Sequence, residues 1–477
     1  MKISRRTILI SFGWKLMEKF SVQGISFVVS VFLARILCPE DYGIVALLLV
    51  FINLANVVID GGLNVALIQK KNATQEDFST IFWACLGMSA LLYCTMFVAS
   101  PYIASFFYDE KLTSSVRVLC LCLFPYALNS VQRAYISRKM LFKRLFVSNL
   151  WATIASGLVG LTLAKNDLGH WSLIWFQITQ ATVLSAVMWH TVGWRPSFTF
   201  SRSAFIELFC YGWKIFMSSM LSTIFLNVRS LLIGRFYTST TLAYFDRGKH
   251  LPALAMENIN TSMQTVLFPA FSQEQDNKEK VRSMVSRSIR TCSLFILPVM
   301  MWLTVCARPI ITLMLTEKWL GAVPYIQLFC IAYMLMPIQI ANIEAIKSQG
   351  RSDIILKLSV IKICIEVPIL VVSVMIGPIA IAIGNILFNF ICIFINLRPC
   401  AKLLDYGLRK QIADFLPAVA ATLLMGTITC SIALAELPDA LTLTLQSLVA
   451  LLSYMTICYC FRLESFMYIL GFIRKKQ

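Results

Sequence analysis

The stretch GWKLMEKFSVQGISFVVSVFLARIL (Gly13–Leu37) decides the fold. Most of it is apolar enough to sit in a bilayer, and its 25 residues exceed the roughly 20 that a helix needs to cross one. Three charges, Lys15, Glu18 and Lys19, stand at its start. Placed deep in a bilayer, each would oppose insertion by roughly 2.5–3.5 kcal/mol. Lys15, Lys19, Gln23, Ser26 and Ser30 follow at intervals of 4, 4, 3 and 4 residues. That spacing places them on one helical face. Such a face is costly against lipid, so it is expected to meet protein or a water-filled cavity.

The whole chain reads the same way. Of its 477 residues, 58% are hydrophobic and only 14% charged, against about 25% charged in a soluble protein. Apolar runs cover roughly 9–34, 43–66, 78–100, 116–136, 145–164, 170–190, 209–236, 249–272, 290–314, 322–345, 355–376, 378–398, 412–434 and 440–461. The sequence therefore predicts an all-α integral membrane protein of about 14 transmembrane helices. Twelve is the alternative count, since only Gly377-Pro378 separates the eleventh run from the twelfth. Alternation with period two is missing, which argues against a transmembrane barrel.

A formal charge of +18 could suggest nucleic acid, but its distribution points elsewhere. With the N-terminus inside, the basic stretches RAYISRKMLFKRLF (133–146), DNKEKVRSMVSRSIR (276–290) and the tail IRKKQ all fall on the cytoplasmic side. This is the positive-inside bias, with anionic lipid as the partner of those loops. An even number of spans puts both termini in the cytoplasm. The first apolar run carries charges and lacks a small-residue cleavage site, so it is expected to remain as a span. Most of the 15 cysteines lie within spans, where they act as small hydrophobes. No metal or other cofactor is expected.

The opening stretch recurs. SFGWKLMEKF (11–20) returns as CYGWKIFMSS (210–219), with Gly-Trp-Lys offset by 199 residues, and LARIL (33–37) is echoed by IGRFY (233–237). Two pseudo-repeated six-helix halves are expected, at 1–200 and 201–400, around a central cavity. Two further helices and a basic tail occupy 401–477. Repeats with the same orientation place a substrate path between them. The second copy of the stripe is Lys214, Ser218, Ser222 and Arg229. The next span of each half is also polar on one side: Asn53, Asn56, Asp60 and Asn64 in the first, Glu257, Asn260, Thr261 and Gln264 in the second. The candidate cavity residues are Lys15, Lys19, Gln23, Asn53, Asn56, Asp60, Lys214, Arg229, Glu257 and Asn260. Asparagines at such positions also serve simply to hold helices together in lipid. Lys362 and Glu366 form an i,i+4 pair within a span, and Glu366 is a candidate proton-coupling group. The chain contains no GxxxxGK[ST] motif, no grouping of its three histidines and no paired carboxylates in a hydrolase arrangement. It reads as a secondary transporter, or one driven by consumption of its product, and not as an enzyme.

Several stretches resemble the polysaccharide transporter family of lipid-linked oligosaccharide flippases, within the multidrug/oligosaccharidyl-lipid/polysaccharide exporter superfamily. They are FLARILCPEDYGIVAL (32–47), VIDGGLNVALIQKKNATQEDFSTIFW (58–83), AYISRKMLFKRL (134–145), LIGRFYTSTTLAYFDRGKHLP (232–252), TVLFPAFSQEQ (265–275), EKWLGAVPYIQLFC (317–330) and KSQGRSDIILK (347–357). The match is to the branch that exports lipopolysaccharide O-antigen or exopolysaccharide units, including colanic-acid-type exporters, and it covers about residues 10–400. The resemblance implies a bacterial inner-membrane protein that turns an undecaprenyl-diphosphate-linked oligosaccharide to the periplasmic leaflet by alternating access. Polysaccharide polymerase machinery is implied as a further partner. A cationic cavity fits that load, because Lys and Arg pair with diphosphate oxygens. A multidrug extruder of the same superfamily is the first rival, but it would need an acidic cavity. A membrane polymerase or ligase would need a large external loop, which is missing here. A peptidoglycan-precursor flippase is the third alternative. Arg35, Asp41, Tyr42, Gly43, Tyr244 and Arg247 match recurring positions of the pattern and are read as structural.

Overall fold

The computed structural model describes residues 5–70 and 72–468, without the side chains of residues 5–12, 15–16, 261–262, 264–266, 268 and 352. All regular structure among the described residues is helical. The chain divides into two compact units, Met1–Ala243 and Tyr244–Gln477.

The first unit contains α1 (Arg5–Ile36), α2 (Pro39–Asp60), α3 (Leu63–Gln69), α4 (Gln75–Phe107), α5 (Lys111–Leu119), α6 (Leu123–Lys139), α7 (Phe142–Lys165), α8 (His170–Thr191) and α9 (Arg202–Phe236). Helices α1 and α8 pack along α7, and α9 lies against α2, α3 and α4. The division falls within α10 (Ser239–Gln273). The second unit continues with α11 (Lys278–Val305), α12 (Ala307–Leu315), α13 (Val323–Met334), α14 (Met336–Ser348), α15 (Ser352–Ile376), α16 (Pro378–Leu404), α17 (Leu408–Ser431) and α18 (Asp439–Cys460).

Twelve helical segments are long and apolar enough to cross a membrane among the described residues. Of the expected fourteen, α8 and α10 fall short on composition. Gln177 and Gln180 interrupt α8, and α10 carries Asp246, Arg247, Lys249 and Glu257. Their lengths, 22 and 35 residues, are still sufficient to span.

Helix ends recur along the chain. Helices α1 and α9 end at Ile36 and Phe236, and α2 and α10 begin at Pro39 and Ser239. The short helices α5 and α12 are nine residues each. The family-pattern residues sit at such junctions. The Asp41 carboxylate accepts from the Cys38 amide at 3.1 Å, closing the start of α2. Gly43 lies against the Ser239 backbone, with no room for a Cβ. Tyr244 donates to the Lys318 carbonyl at 3.0 Å, and the Arg247 guanidinium lies 5.7 Å from the centre of the Trp319 ring.

The Gly61-Gly62 turn between α2 and α3 adopts left-handed backbone at both positions, φ +52° and +70°. Glycine alone tolerates this without strain. The turn also allows α9 to approach backbone to backbone, because Gly62 meets Gly212. The two Gly-Trp-Lys copies thus differ in use. Nothing lies within 4 Å of a Cβ placed at Gly13, while Trp14 packs 5.7 Å from Phe146 on α7.

Candidate functional site: polar faces within the helices

The first charges resolve into distinct roles. The Glu18 carboxylate accepts from Asn149 Nδ2 of α7 at 2.6 Å. This pairing lowers the cost of an acid near a membrane helix. Lys19 and Gln23, one and two turns beyond Lys15, are half-buried. The Lys15 side chain lies outside the described residues.

On α9 the stripe is open. Lys214, Ser218 and Ser222 are exposed, and Arg229 is half-buried. The face holds donors and hydroxyls but no carboxylate between Lys214 and Arg229. It can pair with an anion and hydrogen-bond to hydroxyl groups.

On α2, Asn53 is exposed, while Asn56 and Asp60 are half-buried. Asn64 Nδ2 donates to the Asp60 carboxylate and, at 2.6 Å, to Ser130 Oγ of α6. Cys85 Sγ of α4 donates to the Ile59 carbonyl at 3.2 Å. The end of α2 is therefore tied to α4 and α6 by polar contacts. Beside Ser130, Asn129 and Gln132 are buried, and their amide atoms have no partner among the described residues. Sequence reasoning missed these two. Their signal was a pair of amides in a helix already counted as a span.

A second cluster fixes the next turn. Lys70 Nζ donates to Glu207 of α9 at 2.8 Å and to Asp77 of α4 at 3.1 Å. Asp77 also closes a capping box with Thr74, accepting from the Thr74 amide at 2.8 Å. Arg138 of α6 donates to the Leu67 carbonyl at 2.8 Å and to the Lys70 carbonyl, which caps α3. The Glu207 hydrogen bond is the largest influence on Lys70 and raises its pKa above the ordinary 10.5. A raised lysine pKa contributes stability that is complete at neutral pH. It is lost as pH rises through the folded-state value.

Two substitutions should separate these contacts. Asp77→Asn is expected to cost about 1–3 kcal/mol, since it removes a buried cap and an ion-pair partner together. Glu207→Gln removes only an exposed partner and should cost less than about 1 kcal/mol. Thermal unfolding in detergent checks the ranking. The Glu207→Gln deficit should be constant from about pH 6 to 9 and vanish at more alkaline pH. Equal deficits for the two variants would contradict the assignment.

In the second unit, Glu257 is exposed and Asn260 half-buried, with its carbonyl oxygen lacking a partner among the described residues. The side chains of Thr261 and Gln264 lie outside the described residues. Lys362 and Glu366 on α15 are half-buried. A network that the sequence did not reveal joins α11, α14 and α17. Asn342 and Gln411 exchange amide hydrogen bonds at 2.9 and 3.0 Å. The Asp414 carboxylate accepts from Arg290 Nη2 at 2.7 Å, from Ser286 and from Tyr406. Burial, reinforced by the Asp414 carboxylate, holds the Tyr406 phenol protonated beyond its usual range.

Residues 32–324 match the family model described as polysaccharide biosynthesis protein. The chain belongs to that family. It is 26% identical over 307 residues to the teichuronic acid biosynthesis protein TuaB of Bacillus subtilis, covering 63% of this chain and 62% of TuaB. It is 23% identical over 397 residues to the lipopolysaccharide biosynthesis protein WzxC of Escherichia coli, covering 81% and 80%. The succinoglycan biosynthesis transport protein ExoT of Rhizobium meliloti is 22% identical over 354 residues, covering 74% and 72%. Among solved structures, the lipid II flippase MurJ in an inward closed conformation superposes with a TM-score of 0.75, covering 93% of this chain and 98% of that one at 14% identity. An inward-facing multidrug transporter of the multidrug and toxin extrusion family gives 0.58, covering 80% and 95% at 15% identity. The fold is therefore that of this exporter superfamily, and the protein is a multi-pass membrane protein.

Proposed function

We propose that this protein is a flippase for polysaccharide precursors. It turns undecaprenyl-diphosphate-linked oligosaccharide repeat units from the cytoplasmic to the periplasmic leaflet of a bacterial inner membrane. On this reading α8 and α10 also cross the membrane, giving fourteen spans and cytoplasmic termini. The α1–α8 and α9–α16 segments act as two halves that alternate access to a central cavity, with α17 and α18 appended. Glu366 remains the coupling candidate.

The observation that carries the reading is the open face of α9. In a chain belonging to a polysaccharide biosynthesis family, a transmembrane helix exposes Lys214, Ser218 and Ser222 and holds Arg229 half-buried. That chemistry suits a diphosphate and sugar hydroxyls. A cation exporter would need acid where this face has base. WzxC and ExoT, relatives over most of their lengths, bear names of lipopolysaccharide biosynthesis and succinoglycan transport. By similarity, the cargo here is a repeat unit for surface polysaccharide.

The test is a deletion strain whose undecaprenyl-linked sugars are measured by mass spectrometry. Leaflet sidedness is read with a periplasmic glycan-modifying enzyme. Intact repeat units should accumulate on the inner leaflet, and surface polymer should be lost. Unpolymerised units on the outer leaflet would make this a polymerase. Loss of viability with normal surface polymer would move the cargo to the peptidoglycan precursor. Unchanged lipid-linked sugars would overturn the proposal.

A further inference from the structure

Arg290, Leu294, Pro298 and Trp302 follow one another at four-residue intervals along one face of α11. They trace the floor of two adjoining hollows in the second unit that share Leu294. The first, about 370 Å³, is polar and has Arg290, Asp414, Arg462 and Glu464 in its walls. The second, about 430 Å³, is an apolar trough between α11, α17 and α18. Its polar groups are already satisfied. Trp302 Nε1 donates to Ser447 at 3.2 Å, and the Tyr454 hydroxyl donates to the Leu294 carbonyl at 2.9 Å. Phe295 and Leu451, 53% and 55% exposed, leave its mouth open.

We infer that these hollows form one site for a membrane glycerophospholipid with a primary-amine headgroup, such as phosphatidylethanolamine. Three observations converge on that occupant. First, a trough lined by satisfied, apolar walls in a membrane helix bundle takes hydrocarbon, not water. Second, its length fits one leaflet. From Leu294 to Trp302 the trough follows α11 for about 12 Å at about 1.5 Å per residue, within the half-thickness of a hydrocarbon core of about 30 Å, and the head pocket carries on to Arg290. Third, the head pocket is balanced in charge, with two guanidiniums and two carboxylates. Arg290 is held between Asp414 and Glu464. Arg462 lines the same pocket without an ion-pair partner among the described residues. A phosphate can therefore meet Arg462, while an ammonium donates to Glu464, whose carboxylate is 76% exposed and can accept further bonds. An anionic headgroup would face the carboxylates uncompensated, and a choline has no N–H to offer them. The site belongs to the second unit and the α9 face to the first, and its occupant is bound rather than translocated. Placing it in the cytoplasmic leaflet rests on the orientation proposed above, but the binding itself does not.

The experiment is native mass spectrometry of the full, delipidated chain titrated with dioleoyl phosphatidylethanolamine, phosphatidylglycerol or phosphatidylcholine. Phosphatidylethanolamine should bind about tenfold more tightly than either of the others, as expected for one charge-assisted contact. Glu464→Gln should reduce that preference to less than about threefold, and Glu464→Asp should retain it. Leu451→Trp, which fills the open trough from an exposed position, should weaken binding of all three lipids. Monodispersity and unfolding temperature establish that each variant is folded. Equal binding of phosphatidylglycerol, or an unchanged preference in Glu464→Gln, would overturn the inference. Stoichiometric displacement by undecaprenyl phosphate would assign the trough to the carrier lipid and overturn it as well. None of these readouts depends on whether the protein flips a repeat unit.

Discussion

Gly62→Val is expected to leave little folded protein in the membrane. Gly62 has φ +70°, where a β-branched side chain costs about 1–2 kcal/mol in backbone strain alone. Its Cβ would also run into the Gly212 carbonyl and approach the Phe216 amide nitrogen at 3.1 Å. Both are backbone atoms of α9 and cannot rotate aside. Overpacking of this kind adds about 1–3 kcal/mol. Together these terms are a large part of a total stability of about 5–15 kcal/mol. Fluorescence-detected size exclusion of a tagged protein should show the main peak lost or aggregated. Gly212→Ala offers a graded comparison, because its Cβ would sit 2.9 Å from the Gly62 carbonyl oxygen, so a smaller loss is expected. Gly13→Ala is the matched control, with nothing within 4 Å. An unchanged profile for Gly62→Val would mean that the α9 contact is dispensable.

The contrast between Gly13 and Gly212 shows what the sequence could reveal. Each copy of Gly-Trp-Lys marks the early part of a long apolar helix, and that much is local. Hydropathy sums the transfer cost of each residue, so it located α1, α2, α4 and α9 readily. Runs 170–190 and 249–272 were read as spans too, although glutamines in α8 and charges in α10 lie among their apolar residues. Partner choice left no such trace. Gly62 and Gly212 are 150 residues apart, and nothing periodic connects them. Their contact brings α9 against the turn between α2 and α3. The stripe on α9 was legible because its period matches the helix. Asn129, Gln132 and Asp414 were not, because neither a pair of amides nor one carboxylate in a helix shows which neighbour it will meet. Only the fold shows that Asp414 gathers Arg290, Ser286 and Tyr406 around it.

The double variant Lys19→Ala/Arg229→Ala should abolish most export while leaving protein abundance unchanged. Both residues are half-buried on long helices of the first unit. A charged donor to a phosphate oxygen contributes about 1.5–3 kcal/mol, so each loss should weaken cargo binding about tenfold or more. Surface polymer measured against immunoblotted protein in a complemented deletion strain reads the effect. Arg229 already has interactions within the protein, so its removal alone could act through structure. Arg229→Lys separates the two routes. It keeps the charge and most of the stem but loses the planar fork. If Arg229 serves the diphosphate, Lys should restore export partly and Gln should not, at equal abundance and unfolding temperature. If its role is structural, both substitutions should lower the unfolding temperature before they lower export. Full export by the double variant would remove the basic face from the mechanism. The charges at the start of Gly13–Leu37 would then need another explanation, the first being that Lys19, like Glu18 with Asn149, is there for its neighbours in the fold.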